Sequence, residues 1–242
     1  MNGVPMNKTY PHLAITENDG ILRLALDMKD TGVNVLSSGM VEELTHALRE
    51  MALRKDAKGL LIVSEKPRQF IAGANIEEIF DLTDPVEASE KAGLGQQMMF
   101  ALEHLPFPSV CAIDGPTLGG GLEFAMSATY RVAGDGPHVR LALPEVQLGI
   151  IPGWGGTQRM PRLVGFQKAI ELITSGKALN GVSALKIGLV DDVAPTEILE
   201  DVARALLQKA PKLSHPRKLP GWKNALEAFP PYRALIVALA RR

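Results

Sequence analysis

The chain has 242 residues, of which 46% are hydrophobic and 22% charged, and its formal net charge is −1 at pH 7. This is the composition of a globular protein, and the length is enough for one large domain with a sizeable core. The near-neutral charge, without long runs of like charge, argues against nucleic acid or an anionic membrane surface as the main partner.

Neither a membrane span nor an export signal is predicted. No apolar run approaches the roughly 20 residues that a membrane-spanning helix needs, and the N-terminal sequence MNGVPMNKTYPHL lacks the apolar centre of a signal peptide. The single cysteine, Cys111, excludes a disulfide framework, and we expect it to be a buried structural thiol. We therefore expect a cytoplasmic protein without an integral membrane segment.

The first part of the chain predicts a hairpin, a helix and a buried strand. The segments HLAITE and ILRLALD flank the turn-forming sequence Asn-Asp-Gly at 18–20, which predicts two antiparallel strands. The segment MVEELTHALREMAL (40–53) has apolar residues at helical spacing. The continuous apolar run GLLIVSE (59–65) is typical of a strand that is buried on both faces.

The middle part contains the order strand, glycine turn, helix twice, about fifty residues apart. GLLIVSE leads through FIAGAN (70–75) to the helical pattern IEEIFDL. The apolar run SVCAI (109–113) leads through three glycines to a helix predicted from about Gly120 to Ala128. Strands that alternate with helices indicate an α/β fold.

The last part predicts two further strands and several helices, with no interior domain boundary. The predicted strands are YRVAG (130–134) and RLALPE (140–145). The predicted helices are FQKAIELITSG (166–176), capped by Gly176, SALKIGL (183–189) and ILEDVARALLQKA (198–210). From Pro211 the chain is rich in proline, and RALIVALARR (233–242) then predicts a short amphipathic helix.

Several common kinds of site are not supported by the sequence. The five histidines are scattered and lack the close His or Cys neighbours of a zinc site, so we expect no metal centre. The glycines at 119–121 are not followed by Lys-Ser/Thr and do not form G-x-G-x-x-G, the patterns that hold nucleotide phosphates. A serine nucleophile is also unsupported, because the chain has no G-x-S-x-G.

The two glycine turns are candidates for an oxyanion hole. A strand that ends in Gly119-Gly120-Gly121 and runs into a helix presents unpaired N–H groups, and glycine lets a ligand approach them closely. The turn Ala72-Gly73-Ala74 can supply a second N–H to the same oxygen. The alternative is that both stretches are only tight turns between a strand and a helix.

Two glutamates lie in unusually apolar surroundings. Glu123 falls in the first turn of its predicted helix, and Glu145 is the only charged residue between Arg140 and Arg159. A strand out and back through YRVAG and RLAL would return Glu145 to the neighbourhood of Glu123. Two carboxylates around one water can divide the roles of general base and general acid. The alternative for Glu145 is an ordinary helix-start residue after Pro144.

Resemblance to a known family is carried by four segments in order: FIAGANIEEI, AIDGPTLGGGLEFAMSATYRVA, LPEVQLGIIPGWGGTQRMPRLVG and ALKIGLVDDV. They resemble the crotonase, or enoyl-CoA hydratase/isomerase, superfamily from about His12 to Ala194. VNVLSSGMVEEL and LGGGLEFAMSATYRVA are similar in particular to the N-terminal hydratase domain of the multifunctional fatty-acid oxidation α-subunits.

The resemblance implies an α/β fold, a crotonase-like spiral of repeated ββα units with C-terminal helices, over residues 1–210. Residues 211–242 are expected to be a C-terminal tail, or the start of a linker to a following dehydrogenase domain, so that the C-terminal part of the family fold is truncated. The family also implies a homotrimer or larger homo-oligomer, or a thiolase subunit as partner in a full-length complex.

The resemblance further implies an enoyl-CoA hydratase of fatty-acid β-oxidation that acts on a coenzyme A thioester. It needs no other cofactor, with NAD required only if a dehydrogenase domain follows. By position, the N–H groups of Ala74 and Gly120 form the oxyanion hole, and Glu123 and Glu145 are the catalytic pair. The residues implied in binding the substrate and coenzyme A are Ala72, Gly73, Asn75, Ile76, Gly119, Gly121, Pro152, Gly153 and Trp154.

Two positions depart from the family pattern. The family turn G-A-D reads Gly73-Ala74-Asn75 here, which leaves the backbone donor in place. Trp154 stands where many members carry a smaller residue, and it either narrows the acyl pocket or packs within a glycine-rich loop. Two other functions stay open: a Δ3-Δ2-enoyl-CoA isomerase, which needs only one acid, and a non-catalytic module that binds acyl-CoA or serves in assembly.

Overall fold

The computed structural model describes residues 9–29, 31–209 and 230–240. The strands in this part of the chain are β1 (Leu13–Asn18), β2 (Ile21–Leu26), β3 (Gly59–Ser64), β4 (Ser109–Ile113), β5 (Pro116–Leu118), β6 (Tyr130–Gly134), β7 (Arg140–Ala142) and β8 (Asp192–Ala194). The helices are α1 (Ser38–Ala52), α2 (Ile76–Phe80), α3 (Pro85–Glu103), α4 (Gly120–Ser127), α5 (Gly156–Val164), α6 (Phe166–Ser175), α7 (Gly181–Ile187), α8 (Leu199–Lys209) and α9 (Pro230–Ala240).

The main sheet has six strands in the order β1-β2-β3-β4-β6-β8. The first pair is antiparallel and every other pair is parallel. The hairpin between β1 and β2 turns through Asp19 and Gly20, whose φ angles of 54° and 81° suit a two-residue turn. The predicted hairpin and the mixed α/β class are therefore confirmed.

Helices cover both faces of this sheet, which explains the continuous apolar runs in its strands. In β3, Leu60 and Ile62 pack in the larger core cluster, which also contains buried residues of α1, α3 and α4. Leu61 and Val63 point to the other face and pack in a second cluster with residues of α8. Side chains alternate between faces along a strand, so a strand covered on both sides is apolar at most positions.

A second layer of short extended segments runs beside the main sheet. β5 and β7 pair in parallel, and isolated parallel bridges join Ile71 to Thr117 and Leu36 to Ala74. Each segment follows a main-sheet strand in the chain: 34–36 after β2, 71–74 after β3, β5 after β4 and β7 after β6. The order strand, short strand, helix thus repeats along the chain, which is the spiral of ββα units that the family resemblance implied.

Most helices lie where the sequence predicted them. Helix α1 begins after Ser37, whose hydroxyl accepts from the N–H of Met40, and it buries the apolar face read from its spacing. Helix α6 ends at Gly176, whose φ of 64° gives the left-handed cap that was expected. The helices α4, α7 and α8 also match their predicted segments to within a few residues.

Four of the helices and strands described above were not predicted: α3, α5, β5 and β8. The longest helix, α3, has buried residues (Met98, Met99) as well as exposed apolar ones (Leu94, Phe100), which blurs its periodicity. Helix α5 begins among glycines and contains Pro161, and the strands β5 and β8 are only three residues long. None of these three elements has a pattern long enough to recognise.

The C-terminal region is described only in part. Residues 230–240 form α9, in agreement with the helix predicted from RALIVALARR, whereas 211–229 and 241–242 lie outside the described residues. The division into a domain at 1–210 and a tail at 211–242 stays a prediction. No helix in the described ranges is both long and apolar enough to cross a membrane.

Candidate active site

Strand β5 ends in a glycine turn that opens helix α4. Gly119 has φ +51° and ψ −125°, a conformation that L side chains rarely adopt. Its N–H donates to the carbonyl of Ala142 (2.9 Å), and its carbonyl accepts from the N–H of Glu123 (3.0 Å). Gly120 is the first residue of α4, where N–H groups have no acceptor within the helix. The turn therefore presents the Gly120 N–H at the positive end of the helix dipole.

A second donor comes from the turn before α2. Gly73 has φ +134°, and the N–H of Ala74 lies 3.6 Å from the position that a Cβ on Gly120 would take. The closeness follows from the second layer, in which 71–74 run between 34–36 and β5. The two N–H groups expected to form an oxyanion hole are therefore neighbours in the structure.

Glu123 lies in the first turn of α4 and is only 2% exposed. Its Oε1 accepts hydrogen bonds from the N–H of Trp154 (2.8 Å) and the N–H of Gly156 (2.7 Å). Trp154 belongs to the loop that leads into α5, and Gly156 is the first residue of that helix. The loop thus holds the carboxyl group in place while α4 carries its backbone.

Glu145 begins a short 3₁₀ helix, Glu145–Leu148, directly after β7 and Pro144. It is 8% exposed, and its Oε1 lies 3.3 Å from the position that a Cβ on Gly119 would take. Its Oε2 is buried without a hydrogen-bond partner among the described residues. Buried polar atoms normally have partners, so this oxygen is available to a molecule that enters the site.

The two acids meet by a route that the sequence did not predict. We expected β6 and β7 to run out and back as a pair, but β6 lies in the main sheet between β4 and β8, and β7 pairs with β5. In that parallel pair Leu118 is in register with Ala142. Both strands therefore end at one edge, and the chain continues there into Gly119 and Glu145.

Burial raises the pKa values of both acids. The pKa of Glu123 rises from 4.5 to about 7, mainly through desolvation, and the charge of Glu145 raises it further. The N–H groups of Gly156 and Trp154 and the charge of Arg159 act in the opposite direction. Desolvation also raises the pKa of Glu145, opposed by its own N–H. Near neutral pH such a pair can hold one proton and one charge.

The acids and the donors open into one largely apolar cavity of about 330 Å³. The predicted site residues that line it are Ala72, Gly73, Ala74, Asn75, Ile76, Gly119, Gly120, Glu123, Glu145, Gly153 and Trp154. Gly121 and Pro152 do not line it. Gly121 instead faces the carbonyl oxygen of Ile71, 2.4 Å from where its Cβ would lie, and Pro152 packs against Gly156.

Within the described ranges, no three His, Cys, Asp or Glu side chains are grouped as a metal site would need. Cys111 is fully buried, and desolvation raises the pKa of its thiol to about 12. A thiol in this environment stays protonated, so it does not act as a nucleophile. The chemistry that the described side chains offer is therefore concentrated in the two acids and the backbone donors.

Comparison with known protein families matches residues 16–227 to the family described as enoyl-CoA hydratase/isomerase. The chain belongs to this family. The wider resemblance inferred from the four sequence segments is therefore confirmed.

Similar solved structures agree with the family. The enoyl-CoA hydratase of Bacillus anthracis is 30% identical over 82% of this chain and 76% of that one, with a TM-score of 0.76. Pseudomonas aeruginosa DspI is 27% identical over 86% and 77%, with a TM-score of 0.78. An enoyl-CoA hydratase of Geobacillus kaustophilus HTA426 is 25% identical over 98% and 90%, also with a TM-score of 0.78.

Arg159, on α5, was not predicted from the sequence. It is 8% exposed, and its Nη1 donates to the carbonyl of Trp154 (3.0 Å) while Nη2 pairs with Glu103 on α3 (2.7 Å). Its guanidinium also lies 5.6 Å from the ring centre of Phe100. Arg159 thereby ties the loop that holds Glu123 to helix α3. No local signal distinguishes it from Arg162, three residues later.

Apolar residues of the cavity wall were also missed. They come from distant parts of the chain: Leu36, Val41, Ile79, Leu94 and Leu148. The run QLGIIPGW (147–154) contained a signal, since its large apolar residues show no helical or strand period. Several of them are exposed at the mouth of the cavity; Ile151 is 73% exposed.

Proposed function

We propose that the protein is an enoyl-CoA hydratase, which adds water across the C2–C3 double bond of trans-2-enoyl-CoA thioesters. The observation that carries the proposal is the juxtaposition of two buried carboxyl groups with two backbone N–H donors in one cavity. Membership of the enoyl-CoA hydratase/isomerase family and the hydratases among similar structures support the reaction class.

The N–H groups of Ala74 and Gly120 would bind the thioester carbonyl oxygen. As water adds to C3, the electrons of the double bond move through C2 onto that oxygen, which becomes negatively charged. Donors fixed in advance stabilise such a charge without reorganisation, and removal of one donor from an oxyanion hole typically costs about 3–4 kcal/mol. The wall formed by Ala72, Asn75, Ile76 and Gly153 would hold the remaining parts of the thioester.

The two acids would divide the proton transfers. Glu123, held by the N–H groups of Trp154 and Gly156, orients the water and accepts a proton as the oxygen bonds to C3. Glu145 supplies a proton to C2, and its unpartnered Oε2 suits this role because a protonated carboxyl can donate from it. The pair then returns to its starting state by exchange of a proton.

The test is hydration of crotonyl-CoA and a longer enoyl-CoA, followed by loss of the conjugated thioester absorbance. Replacement Glu145→Gln removes the proton donor while keeping its shape. We expect kcat to fall by about 100-fold or more, since general acid–base groups contribute at least this much. Binding of saturated butyryl-CoA, measured by calorimetry, should be nearly unchanged.

Glu90→Gln is the control, because Glu90 is exposed on α3 and does not line the cavity. The proposal is overturned if the folded protein binds butyryl-CoA but hydrates neither substrate. If a 3-enoyl-CoA is converted instead, the protein is the isomerase. If butyryl-CoA is bound and no enoyl-CoA reacts, it is a binding module.

We further propose that the natural setting is the hydratase domain of a multifunctional fatty-acid oxidation α-subunit in the cytoplasm, acting as a homo-oligomer or with a thiolase subunit. The sequence resemblance of VNVLSSGMVEEL and LGGGLEFAMSATYRVA supports this setting. NAD would then serve only a following dehydrogenase domain. Light scattering of the purified chain gives its oligomeric state, and a monomer at micromolar concentration would contradict the homo-oligomer.

A further inference from the structure

The indole of Trp154 is seated between helices α3 and α4. A Cβ added to Gly95 on α3 would lie 2.2 Å from Cε2 and Nε1 of Trp154. A Cβ added to Gly120 on α4 would lie 2.6 Å from its Cζ3. The two edges of the ring therefore rest on two backbones, and any residue other than glycine at either place would displace it.

The ring borders the part of the cavity where the proposed reaction takes place. One of its supports, Gly120, is also one of the two proposed oxyanion donors. The backbone N–H of Trp154 itself donates to Glu123 (2.8 Å). An acyl chain whose carbonyl oxygen lies at Gly120 and whose reacting carbons lie near Glu123 must therefore start beside the indole.

The loop that carries the ring is fixed on both sides. The carbonyl of Trp154 accepts from Nη1 of Arg159 (3.0 Å), and the carbonyl of Gly153 accepts from Nε2 of Gln96 (2.8 Å). Gln96 follows Gly95 on α3, so the helix that supports the ring also holds its backbone. The backbone that carries the indole therefore cannot shift without loss of these two hydrogen bonds.

We propose that Trp154 sets the length of acyl chain that the site accepts and restricts it to short enoyl thioesters. The inference rests on the proposed hydratase function and adds its substrate class. In an open apolar pocket each further methylene group improves kcat/KM by about fourfold, because its burial is favourable. Where the indole stands, added methylenes find no space and no such gain.

The test compares kcat/KM for enoyl-CoA substrates with four and eight acyl carbons. The readout is the ratio of the eight-carbon to the four-carbon value within each variant, so a general loss of activity cancels. We expect Trp154→Ala to raise this ratio at least tenfold over wild type. Trp154→Leu should raise it less, and Trp154→Phe, which keeps an aromatic ring, should leave it near wild type.

Leu53→Ala is the control for loss of a large apolar side chain, since Leu53 is 80% exposed and outside the cavity wall; its ratio should not change. If Trp154→Ala does not fold, Trp154→Leu decides the matter. An unchanged ratio in the folded Ala or Leu variant overturns the role of Trp154 and leaves the hydratase proposal standing.

The same ratio is measured for binding of saturated butyryl- and octanoyl-CoA by calorimetry. If no enoyl-CoA is hydrated but the variants shift this binding ratio towards octanoyl-CoA, the hydratase proposal fails and the role of Trp154 stands. If wild type already prefers the eight-carbon substrate and ligand, the restriction to short chains is wrong. If neither thioester binds to wild type, both proposals fail.

Discussion

Glu123 is a buried carboxyl group with a raised pKa. Its pKa is about 7 in the folded chain against an ordinary value of 4.5, and desolvation is the largest cause. A carboxyl group with a raised pKa favours folding while it is protonated. Its contribution to the free energy of unfolding is therefore fully present below about pH 4.5 and is lost as the pH rises through 7.

This shift makes a prediction about stability. If Glu123 is the only group responsible, the free energy of unfolding falls by about 3 kcal/mol from acid to alkaline pH. Glu123→Gln cannot ionise and keeps an oxygen that can accept the two N–H bonds. We expect the decrease in the free energy of unfolding between pH 5 and pH 8, measured with urea, to be clearly smaller in this variant than in wild type.

Part of the pH dependence should remain in Glu123→Gln, because the pKa of Glu145 is also raised by burial. The exposed-site variant Glu90→Gln should follow the wild-type curve throughout. If Glu123→Gln also follows the wild-type curve, ionisation of Glu123 does not lower the free energy of unfolding.

At the scale of helices and strands, the close approach of α4 to the second layer depends on Gly121. A Cβ there would lie 2.4 Å from the carbonyl oxygen of Ile71, a backbone atom that cannot move aside alone. Gly93, on α3, is also in a helix but has no atom within 4 Å of its Cβ position. The two glycines therefore differ in surroundings while sharing helical backbone.

Alanine at the two positions should have opposite effects. Gly121→Ala is expected to lower the free energy of unfolding by about 1–3 kcal/mol, the usual cost of overpacking a close contact. Gly93→Ala should raise it by roughly 0.5–1 kcal/mol through helix propensity. Urea unfolding at one pH measures both. A neutral Gly121→Ala variant would show that α4 can move away from Ile71 at little cost.

The same scale shows what the sequence could and could not predict. The spacing of α1 and the apolar run of β3 reveal their structure. A helix with one buried face and a strand buried on both faces each produce a pattern among neighbouring residues. The run of α3 does not, because part of its apolar surface faces the cavity mouth and solvent instead of the core. Both acids were named as candidates from the sequence, but their closeness depends on the pairing of β5 with β7, which no local pattern encodes.

At the scale of the whole molecule, successive ββα units each contribute one loop to the same site. The donor at Ala74 comes from one unit, Gly120 and Glu123 from the next, and Glu145 from the third. Arg159 was not predicted because its partners Glu103 and Trp154 are brought together only in the folded spiral. The geometry of the site therefore depends on the packing between these units.

One buried side chain joins these units directly. Arg131 on β6 is 1% exposed, and its guanidinium donates to the carbonyls of Ala128 (2.9 Å) and Leu189 (2.9 Å). Its Nη2 also pairs with Asp191 (3.0 Å), just before β8. The Arg131 guanidinium therefore connects three parts of the chain: the end of α4, the strand β6 and the segment before β8.

Arg131→Met keeps much of the volume of this side chain and removes its charge and donors. Buried carbonyl groups would lose their donor, and removal of one partner of a buried ion pair typically costs about 3–5 kcal/mol. We expect a decrease of this size in the free energy of unfolding, measured with urea. Lys168→Met, which removes an exposed pair with Glu171, should change it by less than about 0.5 kcal/mol. A cost below 1 kcal/mol for Arg131→Met would mean that apolar packing alone holds the units together.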